Sequence, residues 1–438
     1  MTATVAPDPG GFDARVHTLV VGGGATGMVA ALAAREAGHD VVVCERDSVP
    51  RGSTALSAGL IPAAGTAQQR EAGIDDDPPT FAADIQAKAH GRNDPALVDL
   101  MARTAAPVVD WLTEAHDLPL TLVDDFDYPG HSRRRMHGLP DRAGRSLIDA
   151  LRDRAEGAGV DILCGAAVDT LFVRDRIVTG LGLARGERIG CDRVILACNG
   201  FGGNRARVAR HMPDIADAVW FGHDGNDGAA LDWAEALGAA TRHLGAYQGH
   251  GNVAHPHGIL ITWATLTEGG IQLNRDGRRF HDESRGYSEA ARAVLAQPGG
   301  VAVTLFDARI AAVARQFGDF RDAEAAGAVR IAADADGIEV AMDLPPGSVA
   351  AALSALPRGR LTPPFHAVRV TGALFHTQGG VSVDETARVL HADRSPFPNL
   401  YAAGGAACGV SGDGDDGYLS GNGLLSAVTL GHVAGRGS

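Results

Sequence analysis

Short apolar runs separated by glycine-rich turns dominate both ends of this chain. Thr18–Val21 is a compact apolar run, which is typical of a strand buried on both faces of a parallel sheet. The segment MVAALAAREAG (28–38) follows with helical character, and VVVCE (41–45) predicts a second strand. A strand, a helix and a strand in this order predict a βαβ unit.

The rest of the chain falls into three stretches. From residue 158, β-rich segments such as IVTGLGLAR and CDRVILACNG alternate with turns. Residues 241–364 contain a helical AARAVLAQ, an Ala/Asp-rich part and the prolines of MDLPPG, and complete no further nucleotide unit. Residues 366–436 return to a strand–turn–strand–helix order. We therefore predict an α/β protein with a nucleotide-binding domain at 1–240 and 365–438, and an inserted cap domain at 241–364.

The first predicted turn has the spacing of a dinucleotide-binding motif. Gly22, Gly24 and Gly27 fit G-x-G-x-x-G between a strand and a helix. The first glycine permits a tight turn, the second lets the backbone approach a pyrophosphate, and the third lets the helix pack closely on the strand. Glu45 ends the second strand, where a carboxylate can accept the hydroxyls of an unphosphorylated ribose. The motif predicts dinucleotide binding but does not separate NAD from FAD.

Composition narrows the class of protein. The 438 residues are 45% apolar and 21% charged, which is typical of a globular enzyme with two or three domains. No apolar run approaches the roughly 18 residues of a membrane span, and the first residues resemble no secretory signal, so we expect a cytoplasmic protein. A net charge of −14 argues against a nucleic-acid partner. The five scattered cysteines predict no disulfide framework, metal site or attached haem.

Two charged loops are expected to be solvated. Arg133–Arg135 form the densest basic cluster, and three arginines in a loop are more often surface than recognition patch. Asp413, Asp415 and Asp416 resemble a calcium loop but lack the glutamate that ends the twelve-residue pattern. We expect an acidic surface turn there and no metal.

Seven motifs then occur in the order found in the fumarate reductase/succinate dehydrogenase flavoprotein superfamily. They are GGGATG, RGSTALSAG, QGH, NRDGRRFHDE, HTQGGVSVD, NLYAAGGA and SGNGLLSA, and together they span about residues 16–436. The chain resembles that superfamily over nearly its whole length. The resemblance implies FAD as the cofactor, a Rossmann-like FAD-binding domain of the glutathione reductase type, an α+β cap, and a flavin held between the two domains.

The resemblance also implies a set of cofactor-binding residues. The N–H groups that start the last helix would face the N1/O2 edge of the flavin, and the serines and threonine of RGSTALSAG would line its ring. That loop has no histidine at the position used for covalent attachment, so non-covalent FAD is expected. The acid usual in LYAAGE is Gly405 here, so one flavin-side hydroxyl needs another partner. The implied residues are Gly22, Gly24, Ala25, Thr26, Gly27, Glu45, Arg46, Ser53, Thr54, Ser57, Ala167, Val168, Gly200, Asp227, Gly404, Gly405, Asn422, Leu424 and Leu425.

The catalytic positions depart from the fumarate reductase pattern. Tyr287 falls where an arginine donates the proton, and Tyr418 falls where a second arginine binds a carboxylate. Trp263 replaces a proton-relaying glutamate, whereas both histidines of the pattern remain, as His250 and His376. Both dicarboxylate-binding arginines are therefore missing.

A pair of tyrosines suits a neutral ketone, because a phenol can hydrogen-bond an enolate oxygen. The pattern is similar to the 3-ketosteroid dehydrogenases and related cyclic-ketone desaturases. That resemblance implies that Tyr287 exchanges the α-proton and that Tyr418, helped by the backbone of Gly421, holds the ketone oxygen. Arg285 is the alternative proton donor. The other residues expected at the substrate are Tyr128, Thr262, Trp263 and Phe375.

Each of these residues also has a purely structural alternative. A tyrosine on a cap helix is often a packing residue, His376 could cap the turn before its glycine pair, and Trp263 could be a hydrophobic wall. His255 and His257 crowd the loop of His250.

We therefore predict an FAD-dependent oxidoreductase acting on a CH–CH bond next to a ketone of a cyclic or steroid-like substrate, as a desaturase or as an enone reductase. Its electrons would pass to or from an external carrier. A fumarate- or urocanate-type enoate reductase is the alternative within enzymes, and it needs a replacement cation such as Arg285 or one of Arg133–Arg135. A non-catalytic flavoprotein subunit of a redox complex is the alternative from another class.

Overall fold

A computed structural model describes residues 3–357 and 359–437. The helices of these residues are α1 (Ala25–Glu36), α2 (Ala67–Glu71), α3 (Pro78–Lys88), α4 (Pro95–Glu114), α5 (Gly144–Gly157), α6 (Arg205–His211), α7 (Ala229–Leu237), α8 (Ala264–Thr267), α9 (Tyr287–Leu295), α10 (Ala308–Ala314), α11 (Gly318–Ala325), α12 (Ala335–Met342), α13 (Ser348–Ser354) and α14 (Asn422–Arg436). The strands are β1 (Thr4–Pro7), β2 (Ala14–Val21), β3 (Val41–Cys44), β4 (Ile61–Pro62), β5 (Thr121–Leu122), β6 (Met136–Gly138), β7 (Asp161–Leu163), β8 (Val168–Arg174), β9 (Ile177–Leu183), β10 (Arg188–Leu196), β11 (Val219–Trp220), β12 (Thr241–Arg242), β13 (Tyr247–Ala254), β14 (Ile259–Leu260), β15 (Ile271–Leu273), β16 (Val301–Asp307), β17 (Val329–Ala332), β18 (Phe365–Thr377), β19 (Gly380–Val381), β20 (Arg388–Leu390) and β21 (Pro396–Ala402). Among these described helices, none is long and apolar enough to cross a membrane.

The chain divides into two compact units. Unit 1 comprises Met1–His211, Gly222–Tyr247 and His376–Ser438, and unit 2 comprises Met212–Phe221 and Gln248–Phe375. The sequence placed the cap domain at 241–364. Unit 2 ends later than that because β18 is one unbroken strand, and it includes 212–221 because β11 pairs in parallel with β18, Val219 opposite Ala373.

Unit 1 is built on a sheet of nine strands. Its order is β1-β8-β9-β10-β2-β3-β7, with β21 added beside β10 and β20 beside β21. The central strands β10, β2, β3 and β21 run parallel, and Leu19 and Val20 at their centre are fully buried. Leu19 and Val20 point to opposite faces, so both faces of the sheet are covered at this point, as in a buried parallel sheet. Helix α1 packs on β2, β3 and α14. The predicted Rossmann-like α/β fold is confirmed, and the C-terminal stretch completes it.

Unit 2 is an α+β layer around a sheet of seven strands. The order is β14-β13-β18-β16-β15, with β11 and β17 also paired to β18. Neighbouring residues of β16 face opposite sides, since Phe306 packs with α10 and α11 whereas Leu305 packs with α12 and α13. Helices therefore cover both faces of this sheet.

Candidate active site

The glycine-rich turn in unit 1 leaves room for a phosphate in front of α1. Gly22 has φ of +106°, in the left-handed region, and a Cβ on Gly27 would collide with the carbonyl oxygen of Gly22. Gly24 precedes α1, and a Cβ on it would lie 3.5 Å from Thr54 Oγ1. The turn thus fits the pyrophosphate of a dinucleotide, held by the first N–H groups of the helix.

Glu45 lies where a ribose is expected. Its buried carboxylate accepts the Gly23 N–H at Oε2, at 2.7 Å, and the Asp47 N–H at Oε1, at 2.8 Å. Each oxygen keeps a lone pair for a hydroxyl. The Ala166 N–H donates to the Glu45 carbonyl oxygen at 2.8 Å, so Ala167 and Val168 come next to the same strand end.

Arg46 and Asp227, both predicted to bind the cofactor, contact each other. Arg46 Nη1 lies 3.5 Å from Asp227 Oδ2 and donates to the carbonyl oxygen of Gly225 at 3.1 Å. This ion pair is partly exposed, so we expect it to contribute little to stability.

The RGSTALSAG loop is a short 3₁₀ helix, Gly52–Leu56, fixed by its own hydroxyls. Thr54 Oγ1 accepts the Ala25 N–H at 3.0 Å, and Ser57 Oγ donates to the carbonyl oxygen of Thr54 at 2.7 Å. Ser53 Oγ accepts from two amides, Asn199 Nδ2 at 3.0 Å and Asn226 Nδ2 at 2.9 Å. Sequence reasoning missed both asparagines, although Asn199 stands in the CNG turn right after β10.

Three other glycines of the predicted cofactor set lie where side chains from other segments fill the space. A Cβ on Gly200 would collide with Thr377 Oγ1, and one on Gly404, which has φ of +58°, would collide with Thr26 Oγ1. A Cβ on Gly405 would collide with Asn199 Oδ1.

His376 starts a chain of hydrogen bonds whose later members are buried. Its Nδ1 accepts from Gln378 Nε2 at 2.8 Å, Gln378 Oε1 accepts from Ser411 Oγ at 2.9 Å, and Ser411 Oγ accepts from Asn422 Nδ2 at 2.9 Å. Burial lowers the pKa of His376 to about 4. The imidazole is therefore neutral at pH 7, with its proton on Nε2. Gln378 and Ser411 were not predicted, and only their proximity to HTQGG and α14 hinted at a role.

Tyr418 lies buried beside the N-terminus of α14. Burial raises the pKa of its phenol to about 12, against the effect of N–H groups of Gly423 and Gly421 that bond to the phenol oxygen. The phenol therefore stays protonated near neutral pH. Within α14, the N–H groups of Asn422 and Leu425 donate to the carbonyl oxygens of Leu419 and Gly421, at 3.0 and 2.9 Å. Two of the N–H groups expected at the flavin thus bond to the backbone, while Leu424 is a partly buried residue of the first turn.

The acidic turn before Tyr418 is held by ion pairs, and the expected solvated turn applies to Asp413, which is exposed, but not to Asp415. Arg92 pairs with Asp413 at 3.2 Å and with Asp416, and Asp415 is only 8% exposed. Burial of Asp415 follows because the turn is folded against 89–92, where a Cβ on Gly412 would lie 3.4 Å from the Ala89 carbonyl oxygen.

Arg135 is also not solvated. Its guanidinium is fully buried, where it bonds to Asp76 at 2.9 Å and to Asp84 at 2.5 Å. The expectation of a surface arginine is wrong here because two distant aspartates supply the counter-charge, whereas Arg133 and Arg134 are exposed as expected. The guanidinium of Arg135 is thus already paired with carboxylates of the protein itself.

The loop that carries Tyr128 lies against the Tyr418 turn. His131 Nε2 donates to the carbonyl oxygen of Ser420 at 2.9 Å, and a Cβ on Gly130 would lie 2.7 Å from Leu419 Cδ1. Tyr128 packs with Phe126, whose ring centroid is 4.8 Å away. The structure therefore brings Tyr128, Tyr418 and Gly421 into one region of unit 1.

Replacing Arg135 by methionine should destabilise the protein by about 3–5 kcal/mol, because it leaves the buried Asp76 carboxylate and the partly buried Asp84 carboxylate without this cation. Thermal unfolding followed by circular dichroism would measure the change. The control is Arg134→Ala, which breaks an exposed pair with Asp127 and should cost no more than about 1 kcal/mol. Equal effects of the two changes would contradict the role given to Arg135.

Unit 2 contains a cluster of five aromatic rings that includes four predicted site residues. His250 is the centre: its ring lies 5.2 Å from Tyr287, 5.3 Å from Phe375 and 5.7 Å from Trp263, between centroids. Phe221 stacks on Phe375 at 4.8 Å, and sequence reasoning missed it because β11 carries no motif. The cluster forms an apolar surface.

His250 is held as a neutral donor like His376. Its Nδ1 accepts the Asn252 N–H at 3.2 Å, and burial lowers its pKa to about 3. Its proton is therefore on Nε2 at pH 7. Thr262 is fixed nearby, since its Oγ1 accepts the Ala264 N–H at 3.3 Å at the start of α8.

Tyr287 is the first residue of α9. It follows Gly286, whose φ of +126° favours glycine, and its ring is partly buried against Trp263. Arg285 ends the 3₁₀ helix Glu283–Arg285 and its side chain is exposed. The structure thus brings Tyr287, His250, Trp263 and Phe375 together, whereas Arg285 is exposed.

Comparison with known proteins places the chain in a family. The model of the family described as "FAD binding domain" matches residues 17–423. A probable fumarate reductase of Shewanella frigidimarina is 31% identical over 96% of this chain and 74% of its own length. A 4-oxocyclohexanecarboxylate 2-dehydrogenase of Sinomonas cyclohexanicum is 26% identical over 95% of this chain and 92% of its own length.

Solved structures agree with this placement. The open conformation of a flavocytochrome c3 fumarate reductase matches with a TM-score of 0.84 and 28% identity, over 98% of this chain and 78% of that one. The fold of a 3-ketosteroid-Δ4-(5α)-dehydrogenase of Rhodococcus jostii RHA1 matches with a TM-score of 0.79 and 23% identity, over 100% and 99%. The predicted superfamily and FAD cofactor are confirmed. The chain therefore belongs to the FAD-binding flavoprotein family that contains the fumarate reductases, and it is an FAD-dependent oxidoreductase acting on CH–CH bonds.

Proposed function

We propose that the protein interconverts a cyclic ketone and its α,β-unsaturated form. The observation that carries this proposal is the absence of charge among the side chains assigned to the substrate. By the resemblance to the fumarate reductase pattern, Tyr287 and Tyr418 take the places of two arginines, and the depressed pKa values of His250 and His376 keep both imidazoles neutral. A dicarboxylate needs cations, whereas a ketone needs neutral hydrogen-bond donors. The relative named 4-oxocyclohexanecarboxylate 2-dehydrogenase supports a ring ketone as substrate.

The two tyrosines have different tasks in this proposal. In desaturation, Tyr287 acts as its phenolate and takes up the proton that leaves the α-carbon, becoming the phenol, and the negative charge that develops passes to the ketone oxygen. Tyr418 donates a hydrogen bond to that oxygen, for which a phenol with a pKa of about 12 is suited because it stays protonated. FAD supplies the two-electron acceptor for the hydrogen of the β-carbon. In the reductive direction, Tyr287 returns the proton to the α-carbon.

The aromatic cluster favours an apolar ring over a polyanion. Phe375, Trp263 and Tyr287 surround His250, and Phe221 stacks on Phe375, so the cluster offers apolar surface whose polar groups are neutral. Burial of a hydrocarbon ring against such a surface stabilises the complex by about 25 cal/mol per Å² of apolar area. Tyr128 and Thr262 are proposed to contact the same substrate.

An enoate reductase is the second candidate, and the sequence similarity to a probable fumarate reductase favours it. It requires a cation for the carboxylate. Arg135 is engaged by Asp76 and Asp84, and Arg134 by Asp127, whereas Arg285 and Arg133 are exposed. The engagement of Arg134 and Arg135 by aspartates therefore weighs against an enoate substrate.

Anaerobic flavin absorbance separates the candidates. The purified holoprotein is mixed with cyclohexanone, 4-oxocyclohexanecarboxylate, a 3-ketosteroid, succinate or buffer alone; the photoreduced protein is mixed with cyclohex-2-enone or fumarate. We expect bleaching by a ring ketone, or reoxidation by its enone, and no response to succinate or fumarate. A response to the dicarboxylates alone would establish the enoate reductase, and no response in either direction would favour a subunit without its own substrate.

A further inference from the structure

A group of neutral polar side chains lies at the carboxyl end of the central strands of unit 1. Asn199 follows β10 in a left-handed conformation with φ of +65°, which asparagine tolerates better than most residues. The end of β10 adjoins the glycine-rich turn, because a Cβ on Gly22 would lie 2.6 Å from the Ala197 carbonyl oxygen. In open α/β sheets, ligands bind at this edge.

Asn199 is fixed but keeps hydrogen-bonding capacity. Its Oδ1 accepts the Gly200 N–H at 2.8 Å and its Nδ2 donates to Ser53 Oγ at 3.0 Å. An amide has two lone pairs and two N–H groups, so one of each is left over from these two bonds. Ser53 Oγ accepts from both Asn199 and Asn226, so its own proton is the group that it can donate.

The chemistry of this group matches hydroxyl groups. It offers N–H and O–H donors and an amide acceptor, but neither a cation for phosphate nor a flat apolar face for a base. Alternating donors and acceptors are what a polyol chain requires. FAD contains such a chain between its pyrophosphate and its flavin ring.

Gly405 explains why the amide stands there. Gly405 has no left-handed φ, so its backbone would accept a side chain, but a Cβ on it would collide with Asn199 Oδ1 and lie 2.8 Å from His376 Nε2. Asn199 therefore occupies the space in which a side chain at 405 would start. This is the position where the sequence lacks the acid of the LYAAGE pattern.

We propose that Asn199, together with Ser53, replaces that acid and binds the polyol hydroxyls of FAD. The side chain at position 199 fills the space beside Gly405 and supplies the polar group that position 405 lacks. The polar side chain has therefore been exchanged between the two positions. The proposal concerns the cofactor alone and stands whether the substrate is a ketone or an enoate.

An exchange of side chains tests the pair. The dissociation constant of FAD is measured by fluorescence titration of apoprotein for wild type, Asn199→Gly, Gly405→Glu and the double variant. Glycine suits φ of +65°, so Asn199→Gly removes the amide without backbone strain. We expect it to weaken FAD binding about tenfold, since one or two hydrogen bonds are lost.

Gly405→Glu and the double variant measure the energetic coupling between positions 199 and 405 in FAD binding. Gly405→Glu should bind FAD more weakly still or fail to fold, because Asn199 blocks the new side chain. The FAD dissociation constant of the double variant should lie within about threefold of the wild-type value, with the His376 ring shifting by a few tenths of an ångström. Two independent losses of binding would add, so this recovery would show that the two positions are coupled.

Two results would overturn the proposal: an unchanged FAD constant in Asn199→Gly, or a double variant no better than the worse single one. The melting temperature of each apoprotein separates lost binding from lost folding. The control Asn274→Gly removes a comparably exposed amide in unit 2 and should leave the FAD constant unchanged.

Discussion

Tyr287→Phe should lower the rate of flavin reduction by the cognate ketone by about 10²- to 10⁴-fold. The change removes the proton acceptor but keeps the ring that stacks on His250 and packs on Trp263. Because apolar contacts remain, we expect the dissociation constant of the ketone to change by less than about threefold. Stopped-flow absorbance of the anaerobic holoprotein measures both the rate and the constant.

Arg285→Gln tests the competing proton donor. Arg285 is exposed and precedes Tyr287 by two residues, so its loss should leave the rate of flavin reduction within about threefold of wild type. If Arg285→Gln loses activity as strongly as expected for Tyr287→Phe, and Tyr287→Phe does not, then the proton passes through the arginine. That result would also restore the enoate reductase as the better function.

The sequence predicted the parts of the fold whose signals are local. The apolar Thr18–Val21, the three glycines and the helix after them all lie within residues 18–36, and each has a direct structural reason. Gly22 has the left-handed φ that a tight turn requires. Gly27 packs against the turn so closely that a Cβ on it would collide with the carbonyl oxygen of Gly22. Glu45 was also predictable, since it stands at the end of the next strand.

Features that depend on distant partners could not be predicted in this way. Arg135 is buried because Asp76 and Asp84, 59 and 51 residues away, neutralise it, and its own loop carries no sign of them. Phe221 joins the aromatic cluster only because β11 pairs with β18. A run of three arginines thus contains two surface residues and one core residue, and only the fold distinguishes them.

The same reason limits the prediction of the cofactor site. A glycine in place of an acid at 405 showed that a partner was missing, but nothing in the sequence indicated which side chain fills the gap. Asn199 reaches it from a turn about two hundred residues earlier, because β10 and β21 are neighbours in the sheet. Parallel strands bring their carboxyl ends to one edge whatever their separation in sequence.

Tyr418→Phe should lower the rate of flavin reduction by the ketone by about 10²- to 10³-fold, because it removes the hydrogen bond that stabilises the developing enolate oxygen. The matched control is Tyr401→Phe, a buried tyrosine on β21 stacked against Arg193, which should react at the wild-type rate. Equal rates for Tyr418→Phe and Tyr401→Phe would remove Tyr418 from the mechanism.

The pH dependence distinguishes a hydrogen-bond donor from a base at this position. Burial raises the pKa of Tyr418 to about 12, so below that pH the phenol is protonated and can donate. A donor that does not titrate contributes the same factor throughout, so the ratio of wild-type to Tyr418→Phe rates should stay constant between about pH 6 and about pH 10. A ratio that rises with pH across this range would mean that the tyrosinate is the active form. Tyr418 would then be the proton acceptor, and the roles of the two tyrosines would be exchanged.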